Sequence, residues 1–72
     1  MKGKCIGFTR FVSKSGKPCR IAVCAYDVPA DKGFGVRAEE VFMPQDAPDP
    51  KLNQNYVWSY NRSGFCDMFV PA

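Results

Sequence analysis

Between residues 4 and 27 the chain reads as two runs, KCIGFTRFVS (4–13) and PCRIAVCAYD (18–27), in which apolar residues recur at alternate positions on either side of KSGK. Alternation of period two marks strands with one face buried, and Ser15-Gly16 suits the positive φ angles of a tight hairpin turn. With Lys14 facing Lys17, the register pairs Val12 with Cys19, Arg10 with Ile21, Phe8 with Val23 and Ile6 with Ala25, a nearly all-apolar face. The other face then carries Phe11 with Arg20, Thr9 with Ala22, Gly7 with Cys24 and Cys5 with Tyr26, crowned by Lys14 and Lys17. The first face reads as core and the second as a contact surface.

Downstream, VPADKG (28–33) reads as a loop and FGVRAEEVFMP (34–44) as a third strand of imperfect alternation. PQDAPDPKLNQN (44–55) holds three prolines and two aspartates, which exclude a central strand or a well-formed helix and predict an exposed, mobile connection. The stretches 55–61 and 65–70 form a second hairpin around NRSG. A three-residue loop there places Tyr60 opposite Cys66, Trp58 opposite Met68 and Tyr56 opposite Val70, with the aromatic stripe inside; a loop of two or four residues puts that stripe on the surface.

Five short hairpin-connected strands, with no room for a crossover helix, predict one all-β domain over residues 1–72. A small five-stranded antiparallel barrel is expected, because closure removes unpaired sheet edges. An OB-fold is the first expectation, since a long bent hairpin leads the chain, and an SH3-like barrel the second. The expected interior is Ile6, Phe8, Val12, Ile21, Val23, Trp58 and Met68.

Composition sharpens this picture. Seventy-two residues lie near the lower limit for a core without staples, and an aromatic share of 14% lets a few large rings fill it. Residues 1–26 carry Lys2, Lys4, Arg10, Lys14, Lys17 and Arg20 and no acid, +6, whereas 27–72 carry four bases and seven acids, −3. That asymmetry points to a polyanionic partner for the basic half. The four cysteines, Cys5, Cys19, Cys24 and Cys66, have neither zinc-ligand spacing nor a histidine beside them. They are expected to be reduced, metal-free thiols of a cytoplasmic protein that lacks a secretory signal or membrane span. Catalysis is not expected: there is no histidine and no nucleophile–base pair, and Glu39 and Glu40 point to opposite faces of one strand. No cofactor is implied.

SKSGKPCRIAVCAYD and SYNRSGFCDMFVP resemble the small OB-fold single-stranded-DNA-binding proteins of filamentous phages, in which a Gly-Lys-Pro turn opens the second strand and a Val-Pro pair closes the last. GKPC, EEVF and YNRSG are also similar to segments of small uncharacterised proteins of Gram-positive mobile elements. The acidic third strand and the lack of a long dimerising hairpin depart from the phage pattern. The resemblance implies binding of single-stranded DNA, with RNA and a homodimer as further possibilities.

The residues point the same way. Binding unpaired strands needs cations for phosphates and exposed rings on which bases stack. Phe11, Tyr26 and Arg20 on the outer face, Lys14 and Lys17 at its crown and Arg62 in the second turn are the candidate contacts. The rival expectation is a protein-binding module or inhibitor, encoded by a mobile element, that grips a host protein, since Tyr, Trp, Phe and Arg also dominate protein interfaces.

Overall fold

Two stretches of the chain, SKSGK (13–17) and NRSGF (61–65), build the same turn. In the computed structural model, which describes residues 1–31 and 33–72, the Ser13 N–H donates to the Lys17 carbonyl at 2.9 Å and the Gly16 N–H to the Ser13 carbonyl at 2.9 Å. Asn61 and Phe65 repeat the pattern at 2.8 Å, and the Gly64 N–H reaches the Asn61 carbonyl at 3.0 Å. Gly16 and Gly64 sit at φ +82° and +85°, a region a side chain resists, which is why glycine closes each loop. Ser13 Oγ accepts from the Lys17 N–H at 3.2 Å, and Asn61 Oδ1 accepts from the Ser63 and Phe65 N–H groups at 3.0 and 3.1 Å.

These turns join strands of a single all-antiparallel sheet: β1 (Lys2–Val12), β2 (Pro18–Ala30), β3 (Gly33–Phe42), β4 (Asn55–Tyr60) and β5 (Cys66–Pro71). The spatial order is β3-β2-β1-β4-β5, so the connection over residues 43–54 returns β4 to the side of β1, a Greek-key step. β3 and β5 are the two edges, and the sheet is not closed by hydrogen bonding between them. The expected all-β, five-strand antiparallel architecture is present. Residues 28–30 and 33 belong to strands rather than to a loop, with Ala30 opposite Gly33; the loop expected there falls partly on residue 32, which lies outside the described residues.

The first turn also corrects the register. A three-residue loop places Ser13, not Lys14, opposite Lys17, so Phe11 opposes Cys19, Arg10 opposes Arg20 and Phe8 opposes Ala22. Displacing a strand by one residue sends all its side chains to the other face. Ala22 and Cys24 of β2 are therefore buried, while Ile21 and Val23 are half-buried on the opposite side. A bulge between Cys5 and Gly7 then reverses the facing of β1 midway, so Cys5 and Phe8 both pack against the core. Ile6, at the bulge, and Val12, near the turn, are exposed rather than interior.

In the second hairpin the three-residue loop does set Tyr60 opposite Cys66, but the register slips next to it, with Asp67 passed over, and Trp58 opposes Phe69. Phe69 is buried and Met68 exposed, the reverse of expectation. Trp58 and Tyr56 are buried, whereas Tyr60 is partly exposed, at 39%. Trp58 is the centre of the core: it stacks with Phe69 at 6.2 Å and meets Tyr26 edge-on at 6.4 Å. Its Nε1–H donates to Glu39 Oε2 at 3.1 Å, linking β4 to β3 by a side chain. Gly3 is needed where β1 passes beneath this ring, because a Cβ there would lie 2.7 Å from the Ala25 carbonyl oxygen and 3.1 Å from Trp58 Cη2.

The proline-rich connection is mostly exposed, as expected, but it is anchored to the rest of the fold. Met43 and Ala47 are buried in the core, and the Lys51 N–H donates to the Tyr56 hydroxyl at 2.8 Å. Arg20 holds the rest: Nη1 donates to Asp49 Oδ1 at 2.9 Å and Nη2 to the Pro44 carbonyl at 2.7 Å. Arg10, directly across from Arg20, also pairs with Asp49. Like charges opposed across strands repel, and the shared carboxylate offsets that repulsion.

Cys5 and Cys24 face one another across β1 and β2, both fully buried. Burial, and after it the neighbouring Cys5, push the Cys24 thiol up to about 11 from 9.0. The unfolded chain therefore loses this proton first. Stability is complete below pH 9 and falls as pH rises towards 11, by roughly 2–3 kcal/mol for a shift of that size. Tyr60 and Cys66, both raised chiefly by burial, act in the same direction. Urea midpoints at pH 8, 9.5 and 11 should decline accordingly, and less steeply in Cys24→Ala; a flat profile would contradict the burial of this thiol.

Candidate nucleic-acid interface

Alternation along β1, β2 and β3 sends one set of side chains into the core and the other to an uncovered outer face. On that outer face Phe11 opposes Cys19, Thr9 opposes Ile21, and Ile21 opposes Phe42. Phe11 and Phe42 meet edge-to-face across β2, with ring centroids 6.4 Å apart, yet remain 37% and 57% exposed. Beyond Phe42, between the β3 edge and the 61–65 turn, a cleft of about 370 Å³ is lined by Glu40, Phe42, Tyr60, Gly64, Phe65 and Cys66. Phe65 is 69% exposed at its rim. Exposed rings of this size, grouped on one face, are what a stacking surface requires.

Cations adjoin this aromatic path in the chain. Lys14 and Lys17 stand on the turn that follows Phe11 and Val12, and Arg62 opens the turn whose Gly64 and Phe65 line the cleft. All three are exposed and form no ion pair among the described residues. The two turns that adjoin Phe11 and Phe65 in the chain thus each carry positive charge.

The six candidate residues do not share one surface. Phe11 lies on the outer face, Lys14 and Lys17 on the turn that follows it, and Arg62 on the 61–65 turn. Arg20 and Tyr26 lie on the core face, because the displaced register turned β2 over. Arg20 is only 17% exposed in its side chain and is committed to Asp49 and the Pro44 carbonyl, so it is a structural cation rather than a free one. Tyr26 rests against Trp58. Phe42, Tyr60 and Phe65 take their place in the aromatic path. The alternation of Val36, Ala38, Glu40 and Phe42 along β3 is the signal that could have identified Phe42; nothing local in sequence marks the cleft, which exists only because the second turn comes to lie beside β3.

Among the described residues no helix is long and apolar enough to cross a membrane. Comparison with protein-family models, curated proteins and solved structures finds no match to this chain.

Proposed function

We propose that this chain binds single-stranded nucleic acid, DNA in the first instance, without strong sequence preference and without catalysing a reaction. The observation that carries this reading is the exposed Phe11–Phe42 pair running into the Phe65-rimmed cleft, with Lys14 and Lys17 on the first turn and Arg62 on the second. Unpaired bases stack on such rings at roughly 1–3 kcal/mol each, and flanking cations neutralise the phosphates between them. A base-paired duplex keeps its bases stacked on one another and has none to offer these rings.

The strand order supports an OB-type arrangement for this surface. An OB-fold is a partly open, five-stranded Greek-key barrel that binds oligonucleotides on its β2–β3 face and its β1–β2 and β4–β5 loops. Here β4 returns to β1 and the Trp58–Glu39 bond spans from β4 to β3, so bringing β3 and β5 together would complete that barrel. The Greek-key step favours this arrangement over an SH3-like one.

Fluorescence anisotropy of end-labelled oligo-dT tests the proposal; Trp58, being buried, is a poor reporter. Binding is expected at low salt, with affinity falling as salt is added at a slope of roughly −0.7 per phosphate contact, and with duplex DNA bound more weakly. No binding to oligo-dT at low salt would sink the proposal and leave the outer face to a protein partner.

A further inference from the structure

We infer that the cleft between β3 and the 61–65 turn is a pocket for a single unstacked nucleobase, and that Glu40 selects a base offering an exocyclic amine, cytosine first. This inference rests on the single-strand reading above and adds a preference at one position. Glu40 and Phe42 are two residues apart in β3 and project to the same side, at a strand edge with no hydrogen-bonded neighbour. Across the cleft stand Tyr60 and Phe65, with Gly64 contributing backbone and no side chain to block entry. The volume, about 370 Å³, lies at the small end of ligand pockets and accommodates one ring system rather than a dinucleotide.

The chemistry of the lining narrows the occupant. The walls are rings, which favour a flat π-system, and the one charged group is a carboxylate, which accepts hydrogen bonds and donates none. No ion pair to Glu40 is formed among the described residues. A phosphate entering here would meet like charge, whereas the cytosine N4 amine is a matching donor, the pairing that carboxylate side chains make with that base. Thymine and uracil present a carbonyl oxygen at the same position, and oxygen against carboxylate is repulsive. Arg62 stands exposed in the same turn as Gly64 and Phe65, and is the cation assigned to the phosphate of the nucleotide whose base enters.

Labelled oligo-dC and oligo-dT of equal length, titrated against the parent protein and Glu40→Gln at one salt concentration, test this. The parent should bind oligo-dC roughly fivefold to tenfold more tightly than oligo-dT, one good base contact's worth of discrimination. Glu40→Gln, whose amide can both donate and accept, should bring the ratio to about one while still binding both. Phe65→Ala should weaken both oligonucleotides, because it removes a wall of the pocket. Equal affinities in the parent, or a cytosine preference that survives in Glu40→Gln, would overturn the pocket and leave the general reading standing. Failure to bind either oligonucleotide would instead bring down the single-strand reading, and the pocket with it.

Discussion

Replacing Trp58 by alanine is expected to destabilise the fold by about 3–5 kcal/mol, the range for deleting a large buried ring. A chain of this length has a total stability of about 4–11 kcal/mol, so the variant should be largely unfolded or on the verge of it. The ring has no exposed surface, stacks with Phe69, takes the edge of Tyr26 and closes over Gly3. Its Nε1–H also serves Glu39, the side-chain link from β4 to β3. Alanine would empty the centre of the core and break that link together. Trp58→Phe should cost less, because much of the volume survives and only the hydrogen bond is lost outright. Urea denaturation followed by circular dichroism measures both; a Trp58→Ala midpoint within about 0.5 M of the parent would show that the core is not organised around this residue.

Neutralising Lys14, Lys17 and Arg62 together, each to glutamine, should weaken oligo-dT binding on the order of a hundredfold at 0.1 M salt. The magnitude follows from counterion release: three contacts at roughly 0.7 each change the salt slope by about 2, and a slope change of 2 is two decades of affinity at 0.1 M. The three side chains are exposed, so stability should hold. Phe42→Ala should lower affinity with the slope unchanged, since stacking releases no ions. Arg20→Ala separates placement from charge. It removes one cation, as each of the others does, but it should lower the urea midpoint instead of flattening the slope, because Arg20 is bound to Asp49 and the Pro44 carbonyl. A triple variant with an unaltered slope would remove the turns from the interface.

Alternation of apolar residues and the turn chemistry of SKSGK and NRSGF determined, from sequence alone, that this chain forms five antiparallel strands, where they lie to within a few residues, and that cations crown the turns. These are local properties: period two in the side chains, glycine at positive φ, and prolines excluding regular structure from the connection. Tyr56 and Trp58 of β4 face inward, as a three-residue second loop predicts, but which face β1, β2 and β5 bury was decided only by the tertiary structure. One residue of loop length in the first hairpin turned β2 over, burying Ala22 and Cys24 in place of Ile21 and Val23. A bulge beside Ile6, at which Gly7 is the one local sign, and a slip at Asp67, which nothing in the sequence marks, reversed facing again within their strands. The same inversion moved Arg20 from the outer face into an ion pair with Asp49, a partner 29 residues away. The cleft beside Glu40 likewise joins residues from β3 and from the second turn that no local pattern relates. Side-chain facing has a period of two, so it is as sensitive to one inserted residue as strand formation is insensitive. The strands were therefore legible in the sequence, and the surface they present became so only when the chain was folded.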